Sequence, residues 1–353
     1  MSDWQGAALR LRLFGASHDT SVGMELTGFP AGFAPDFDEL QSFLNRRRPG
    51  QGSHTTARAE ADIPVFSRGL RAGRTDGAPL CAEISNRDVR SQDYNPQIPR
   101  PSHADYPAYV KYGAIPAGGG VFSGRMTAPL CIAGGLCLQW LAARGVQIGA
   151  HALQIGAACD RPFDPLAPEL PVPAGKISVL ERSAETEMLR AIEQARQEGD
   201  SIGGSVECAV TGLHAGVGEP LFGGLEGRLA ALLFAIPAVK GVRFGADCAG
   251  QRGSAYNDAY YYDETGAVRT RTNHAGGILG GLSTGMPLLL RAEFKPTPSI
   301  ARPQESVSLA PGGGSVALTL RGRHDPCIIP RAVPCVEAAT ALALMDAILE
   351  SEA

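Results

Sequence analysis

The spacing of hydrophobic positions changes several times along the chain, and each change marks an element. Leu9, Leu11 and Leu13 alternate with Arg10 and Arg12, a period of two that predicts a strand with one buried face. Over residues 38–48 the period lengthens. Leu40, Phe43 and Leu44 share one face of a predicted helix, which Pro49 and Gly50 end. Between Asp62 and Asp93, short apolar segments broken by Gly69, Gly73, Gly77 and Pro79 predict β-rich structure. The stretch between Arg125 and Arg144 carries no charge, yet Gly134, Gly135 and Gln139 within it favour a core helix over a membrane span. Residues 183–198 predict a helix capped by Ser183, with Glu185 and Glu187 in its first turn and Gly199 after its end. Val206, Cys208 and Val210 alternate as another strand, and residues 225–236 form an apolar helical pattern stopped by Pro237. Residues 336–349, apolar nearly all round, predict a buried helix.

Composition narrows the class. The 353 residues carry a net charge of −4 and are 44% hydrophobic, which fits a globular chain with a large core and offers no general surface for nucleic acid. Its length allows one large domain or two. Prolines 162, 165, 168, 171 and 173 mark an extended stretch, the best place for an internal division of a single 1–353 domain. The eight cysteines form no Cys-x-x-Cys pair, so reduced thiols are expected, with neither disulfides nor a metal site. Asp3, Arg10 and Arg12 interrupt any signal-peptide pattern, so a cytoplasmic protein without a membrane partner is expected.

The chemistry sits on loops. Residues 321–331, RGRHDPCIIPR, hold three arginines, His324 and Asp325, together with Pro326 and Pro330, which bias the backbone away from helix. The run reads either as a solvated basic loop or as a stiff platform for catalysis. Ser17 and His18 lie where the first strand runs into a turn, and His103 sits on a second proline-stiffened loop. Arg46, Arg47 and Arg48 fill the last turn of the 38–48 helix, where cations complement the dipole, and they also form a plausible anion cradle. Gly118, Gly119 and Gly120 precede Ser123, Arg125 and the apolar helix, a weak phosphate signal that a tight packing turn explains equally well. No histidine or cysteine cluster has ligand spacing. Arginines bind phosphate and carboxylate, and histidines move protons near neutral pH. Together they point to a polyanionic small-molecule substrate handled by acid–base chemistry.

The order of these motifs resembles the chorismate synthase family. The matching runs are FGASHD (14–19), RRRPGQ (46–51), SQDY (91–94), RPSHADY (100–106), KYG (111–113) with GGG (118–120), RTNHAGGILGG (271–281), KPTPSI (295–300) and GRHDPCIIPRAVP (322–334). The resemblance implies an α+β fold, a large single-domain β-α-β sandwich, assembled as a homotetramer. It implies reduced FMN as cofactor, kept reduced at the expense of NADPH by an external flavin reductase. The reaction it implies is loss of phosphate and a proton from 5-enolpyruvylshikimate 3-phosphate, giving chorismate without net redox change.

By the same resemblance, His18 protonates the departing phosphate and His103 protonates the flavin, while Asp325, Ser17 and Ser123 relay the substrate proton. Arg47, Arg48, Arg100, Arg125 and Arg323 hold the substrate's anionic groups. Ser123, Pro237, Ala238, Gly280, Lys295, Pro296, Thr297, Pro298, Ser299 and Arg323 contact the flavin. Some positions depart from the family pattern: Ala16 and Asp19 in the first motif, Val121, Phe122 and Met126 after the glycines, Ser102 for a glycine, and Ser53 for an arginine. His54 and Arg58 are the two candidates to compensate for Ser53, with Arg58 favoured because its charge does not depend on pH. Two rival readings remain: a catalytically silent flavin- or phosphate-binding paralogue, and a nucleic-acid binder using the three arginines at 46–48, which the net charge disfavours.

Overall fold

The computed structural model describes residues 2–50, 52, 55–56, 58, 60–88, 94–320 and 325–352. Ser53, His54, Arg323 and His324 therefore lie outside the described residues. The strands of the first half are Ser2–Gln5 (β1), Arg10–Gly15 (β2), Ser21–Thr27 (β3), Val65–Arg68 (β4), Leu70–Arg71 (β5), Arg74–Thr75 (β6) and Leu80–Ser85 (β7). Next come Gln147–Ile155 (β8), Ala158–Cys159 (β9), Gly204–Thr211 (β10), Val239–Phe244 (β11), Tyr260–Tyr262 (β12) and Val268–Thr270 (β13). Ile278–Leu279 (β14), Leu282–Ser283 (β15), Leu288–Phe294 (β16), Gln304–Val307 (β17) and Ser315–Leu318 (β18) complete the series. The helices are Phe37–Arg47 (α1), Asp105–Tyr112 (α2), Thr127–Ala142 (α3), Arg182–Gln197 (α4), Leu225–Phe234 (α5), Gly253–Tyr256 (α6) and Ile329–Ser351 (α7).

Two antiparallel five-stranded sheets, ordered β1-β2-β3-β7-β4 and β11-β16-β10-β8-β9, enclose a layer of helices. α3 packs on β3 and β7 of the first sheet, α7 on β8 and β10 of the second, and the two helices pack on each other. The alternation in β2 does what its period predicts: Leu11 is buried opposite Leu26, while Arg10 and Arg12 face outward and meet Asp3. Asp36 caps α1 by accepting from the Asp38 and Glu39 N–H groups. In α3, a β-carbon at Gly134 would stand 2.3 Å from Ala338 of α7, so this glycine is what lets the two central helices touch.

α7 is long and apolar enough to cross a membrane, with mean hydropathy 1.7, but 94% of that window is buried inside the fold. It begins at Ile329, seven residues before the expected 336. Pro330 lies in the first turn, where no intrahelical N–H bond is due, and Pro334 is carried inside the helix. Near its far end, buried Asp346 accepts from the N–H groups of Ala7, Ala8 and Leu9 and pins the β1–β2 turn to the core.

Ser183 is not a cap. α4 starts at Arg182 behind Glu181, and its anchor is Glu185, which accepts from the Lys176 and Ile177 N–H groups. The proline-rich stretch 162–173 runs over the outer face of the second sheet. Phe163 packs with Ala209, Leu289 and Leu170 there, and Pro165 O accepts from Asn273 Nδ2. The chain passes from one sheet to the other earlier, at α3.

Candidate active site

A cavity of about 460 Å³ gathers residues from seven stretches of the chain, a size that suits a small-molecule site. His18 enters it from the turn after β2. Ser17, only 1% exposed, donates its hydroxyl to Gly118 O at 3.1 Å and its N–H to Gly120 O at 3.3 Å. Asn86 Nδ2 donates to Ala16 O and Asp19 O, which closes the turn from the other side. Gly118, Gly119 and Gly120 all have positive φ, and a β-carbon at Gly118 would fall 2.2 Å from His18 Nε2. The glycine run is thus a clasp that leaves room for the imidazole.

His103 comes from the loop ahead of α2, with Nε2 2.6 Å from Ser299 Oγ. Ser102, where the family has glycine, adopts φ +57°, and its carbonyl accepts from Lys295 Nζ at 2.5 Å. A left-handed non-glycine residue is strained by roughly 1–3 kcal/mol, which explains why glycine suits the position. Asp105 clamps Arg100 through Nε at 2.7 Å and Nη2 at 2.8 Å, and that guanidinium lies over the Tyr94 ring.

The three arginines at 46–48 part ways. Arg46 forms a two-pronged pair with Glu337 of α7, Arg47 is buried and lines the cavity, and Arg48 is exposed and does not line it. Arg47 and Arg125 share Asp62, whose side chain is fully buried. Burial alone would raise the Asp62 pKa, but Arg47 and then Arg125 outweigh it and hold the carboxyl below its usual value. Asp325 lines the cavity with Oδ1 accepting from the Thr56 N–H at 2.8 Å and Oδ2 paired with Arg331. Arg58 also reaches the cavity, tied to Glu60 at 2.9 Å.

The lining also has an apolar part, Ile236, Pro237, Ala238 and Phe294, followed in sequence by Lys295, Thr297, Pro298 and Ser299. Ala238 has φ +77°, so its carbonyl turns back to accept from Lys295 N. Burial, and then the nearby Lys240, lower the Lys295 pKa. Thr297 Oγ1 is shielded from solvent without a hydrogen-bond partner among the described residues. A planar heteroaromatic ring with polar edge atoms fits such a wall, since it would pack on the apolar side chains and engage that hydroxyl.

Of the residues expected at the site, His18, His103, Ser123, Arg47, Arg100, Arg125, Pro237, Ala238, Lys295, Thr297, Pro298, Ser299 and Asp325 line one cavity. Ser17 supports it from behind, and Pro296 and Arg48 do not line it. Gly280 lies elsewhere: with Gly281 it turns the β14–β15 hairpin, where both central residues have positive φ. Arg323 is outside the described residues. Of the family departures, Phe122 lines the cavity, whereas Met126 is buried in the core. Asp62 stands in no motif of the sequence, and Asp105 and Arg331 fall inside the runs 100–106 and 322–334 without a role of their own there. What each does becomes visible only once its partner is placed: Asp62 with Arg47 and Arg125, Asp105 with Arg100, and Arg331 with Asp325.

The described cavity lining carries Arg47, Arg58, Arg100, Arg125, Lys295 and Arg331 against Asp88, Asp105 and Asp325, an excess of cations suited to a multiply anionic ligand. A family model described as chorismate synthase matches residues 9–349. A chorismate synthase from Lancefieldella parvula is 44% identical over 98% of this chain and 96% of its own length. One from Porphyromonas gingivalis is 42% identical over 98% and 95%. One from Synechocystis is 41% identical over 100% and 99%. A crystal structure of a chorismate synthase superposes with a TM-score of 0.75 at 24% identity, covering 98% of this chain and 93% of the other, so the layered architecture is shared. The chain belongs to the chorismate synthase family.

Proposed function

We propose that the chain catalyses the 1,4-elimination of phosphate and a proton from 5-enolpyruvylshikimate 3-phosphate to give chorismate, with reduced FMN in the cavity. The observation that carries this reading is the convergence of His18, His103 and Asp325 on one cation-rich cavity with an apolar wall. The substrate bears two carboxylates and a phosphate, and Arg47, Arg100 and Arg125 supply permanently charged donors for them. The ring C–H bond breaks and its electrons form one new double bond, the existing ring double bond shifts by one position, and the C–O pair leaves with phosphate. No electrons are gained or lost overall.

Reduced FMN, when bound, supplies electron density that eases departure of phosphate. Ile236, Pro237, Ala238 and Phe294 would pack on its ring, with Lys295, Thr297 and Ser299 at its polar edge. His18, close against Gly118, would donate a proton to the leaving phosphate. His103, bonded to Ser299, would hold a proton for the flavin. Asp325 is kept oriented by Thr56 N–H and Arg331, a fitting acceptor for the proton leaving the ring. The reading extends to a cytoplasmic homotetramer whose flavin is kept reduced by a separate NADPH-dependent reductase. It takes in no nucleic acid and no membrane.

Incubating the protein anaerobically with substrate and chemically reduced FMN should release phosphate and chorismate in equal amounts. With NADPH and oxidised FMN in air, no steady turnover is expected. Absence of chorismate under the first condition would contradict the function, and steady turnover under the second would contradict the need for an external reductase.

A further inference from the structure

We propose that Asp62 is a positioning residue for the substrate's anionic groups: it holds Arg47 and Arg125 as one two-armed receptor from behind the cavity wall. The inference rests on the function proposed above and deepens it. Both guanidiniums line the cavity, while Asp62 does not. The Arg47 and Arg125 side chains are 1% and 2% exposed and that of Asp62 is 0% exposed, so the three charges meet without screening water. Asp62 Oδ1 takes Arg125 Nη1, and Oδ2 lies 2.9 Å from Arg47 Nη2.

The remaining bonds show what each arginine has left to offer. Arg125 Nε donates to Asn86 Oδ1 at 2.8 Å, which fixes the plane of that guanidinium. Among the described residues Arg47 Nη1 has only long contacts, at 3.3 Å to Thr127 Oγ1 and 3.5 Å to Arg125 O. Its Nε is buried with no hydrogen-bond partner among the described residues, and its Nη2 meets Asp62 without hydrogen-bond alignment. Buried donors left so poorly paired are unfavourable unless a ligand completes them. One carboxylate against two guanidiniums leaves a net charge of about +1, which an incoming carboxylate or phosphate would neutralise.

Two buried guanidiniums this close repel each other. Burial, opposed by Asp62, and then the Arg47 charge together leave Arg125 below the ordinary arginine value. Removing the Asp62 charge would free the pair to separate or to take up water, and the receptor would lose its geometry before the substrate arrives. The backbone supports a dedicated role, because Asp62 sits at φ +50°, a conformation that aspartate tolerates better than most residues.

The test compares Asp62→Asn and Asp62→Gly with the unmodified protein. Substrate affinity is read by calorimetry in the absence of turnover, KM and kcat in the anaerobic assay, and FMN affinity separately. Asparagine keeps the volume but not the charge, so substrate Kd and KM should rise about tenfold or more, the worth of one charge-assisted bond. FMN affinity should stay within about twofold. Glycine suits the positive φ and opens a gap, so formate should restore much of the lost affinity in Asp62→Gly. In the unmodified protein formate should only compete with substrate. Unchanged substrate affinity in folded Asp62→Asn would overturn the proposal. So would parallel loss of substrate and flavin binding, or failure of both variants to fold even with formate. Substrate binding without turnover in the unmodified protein would count against the proposed reaction and leave Asp62 to be judged on affinity alone.

Discussion

At Gly118 a β-carbon would stand 2.2 Å from His18 Nε2, so the position of the candidate acid depends on a missing side chain. Gly118→Ala should displace the imidazole and lower kcat by about 10²-fold or more, within the usual range for losing general acid–base help. FMN affinity should change little, because the residues proposed to pack on the flavin lie on other segments. A loss smaller than about threefold, with the protein folded, would show that His18 does not need this placement. The motif was visible in the sequence as a glycine run, but its purpose was not, since a phosphate loop and a packing clasp have the same composition. The three arginines at 46–48 show a related limit. Arg46 and Arg47, successive on a helix, point about 100° apart, and Arg48 follows the helix end, so one motif delivers one side chain to Glu337 and one to the cavity and leaves one exposed.

Among the elements, the strap that follows β9 is held by a buried charge cluster away from the active site. His151 of β8 lies between Asp160, 2.9 Å from Nδ1, and Glu207 of β10, 3.2 Å from Nε2, with the Phe163 ring edge against it. Asp160 also accepts from the N–H groups of Leu180 and Glu181, and Glu207 from Phe163 N–H. Arg291 lies 3.9 Å from Glu207 and Arg161 N–H bonds to Asp160, so these groups also set the local balance. Burial lowers the His151 pKa, but the bonds to Asp160 and Glu207 outweigh it and leave it raised. A raised folded-state pKa means that the stabilisation is fully present below the unfolded value, about 6.5, and is lost as pH rises through the folded one. His151→Gln should therefore lower stability by about 3 kcal/mol at pH 6, as for removing one partner of a buried ion pair. The loss should be distinctly smaller at pH 9. Urea unfolding at the two pH values measures it, and an equal loss at both would show a neutral imidazole.

Element boundaries were legible where local chemistry sets them, as with Pro49 and Gly50 after α1 and the alternation in β2. They were misread where tertiary structure decides. Ser183 looks like a cap, yet Glu185 and the loop at 176–177 fix the start of α4. Pro330 and Pro334 look like helix breakers, yet both enter α7, because packing between α3 and the second sheet outweighs one missing bond.

At the scale of the molecule, composition and period disclosed a large mixed fold, but not that two sheets would enclose the helices. β4 pairs with β7 across two short intervening strands, and β11 pairs with β16 across about fifty residues of chain. Such distant pairing leaves no local period to read. The cavity inherits that difficulty, since its cations, its histidines and its apolar wall come from segments that only the finished sandwich brings together.

The account stands on two histidines doing different work in one cavity, and paired kinetics of His18→Ala and His103→Ala test it most directly. Anaerobic turnover and the absorbance of bound reduced FMN are measured on both variants. His18→Ala should lower kcat about 10²–10⁴-fold and leave the flavin spectrum and affinity nearly intact. His103→Ala should lower the rate and also shift the spectrum, because the proton held at the flavin's edge is lost. Less than about threefold loss of rate in both variants, or the same spectral change in both, would contradict the division of labour.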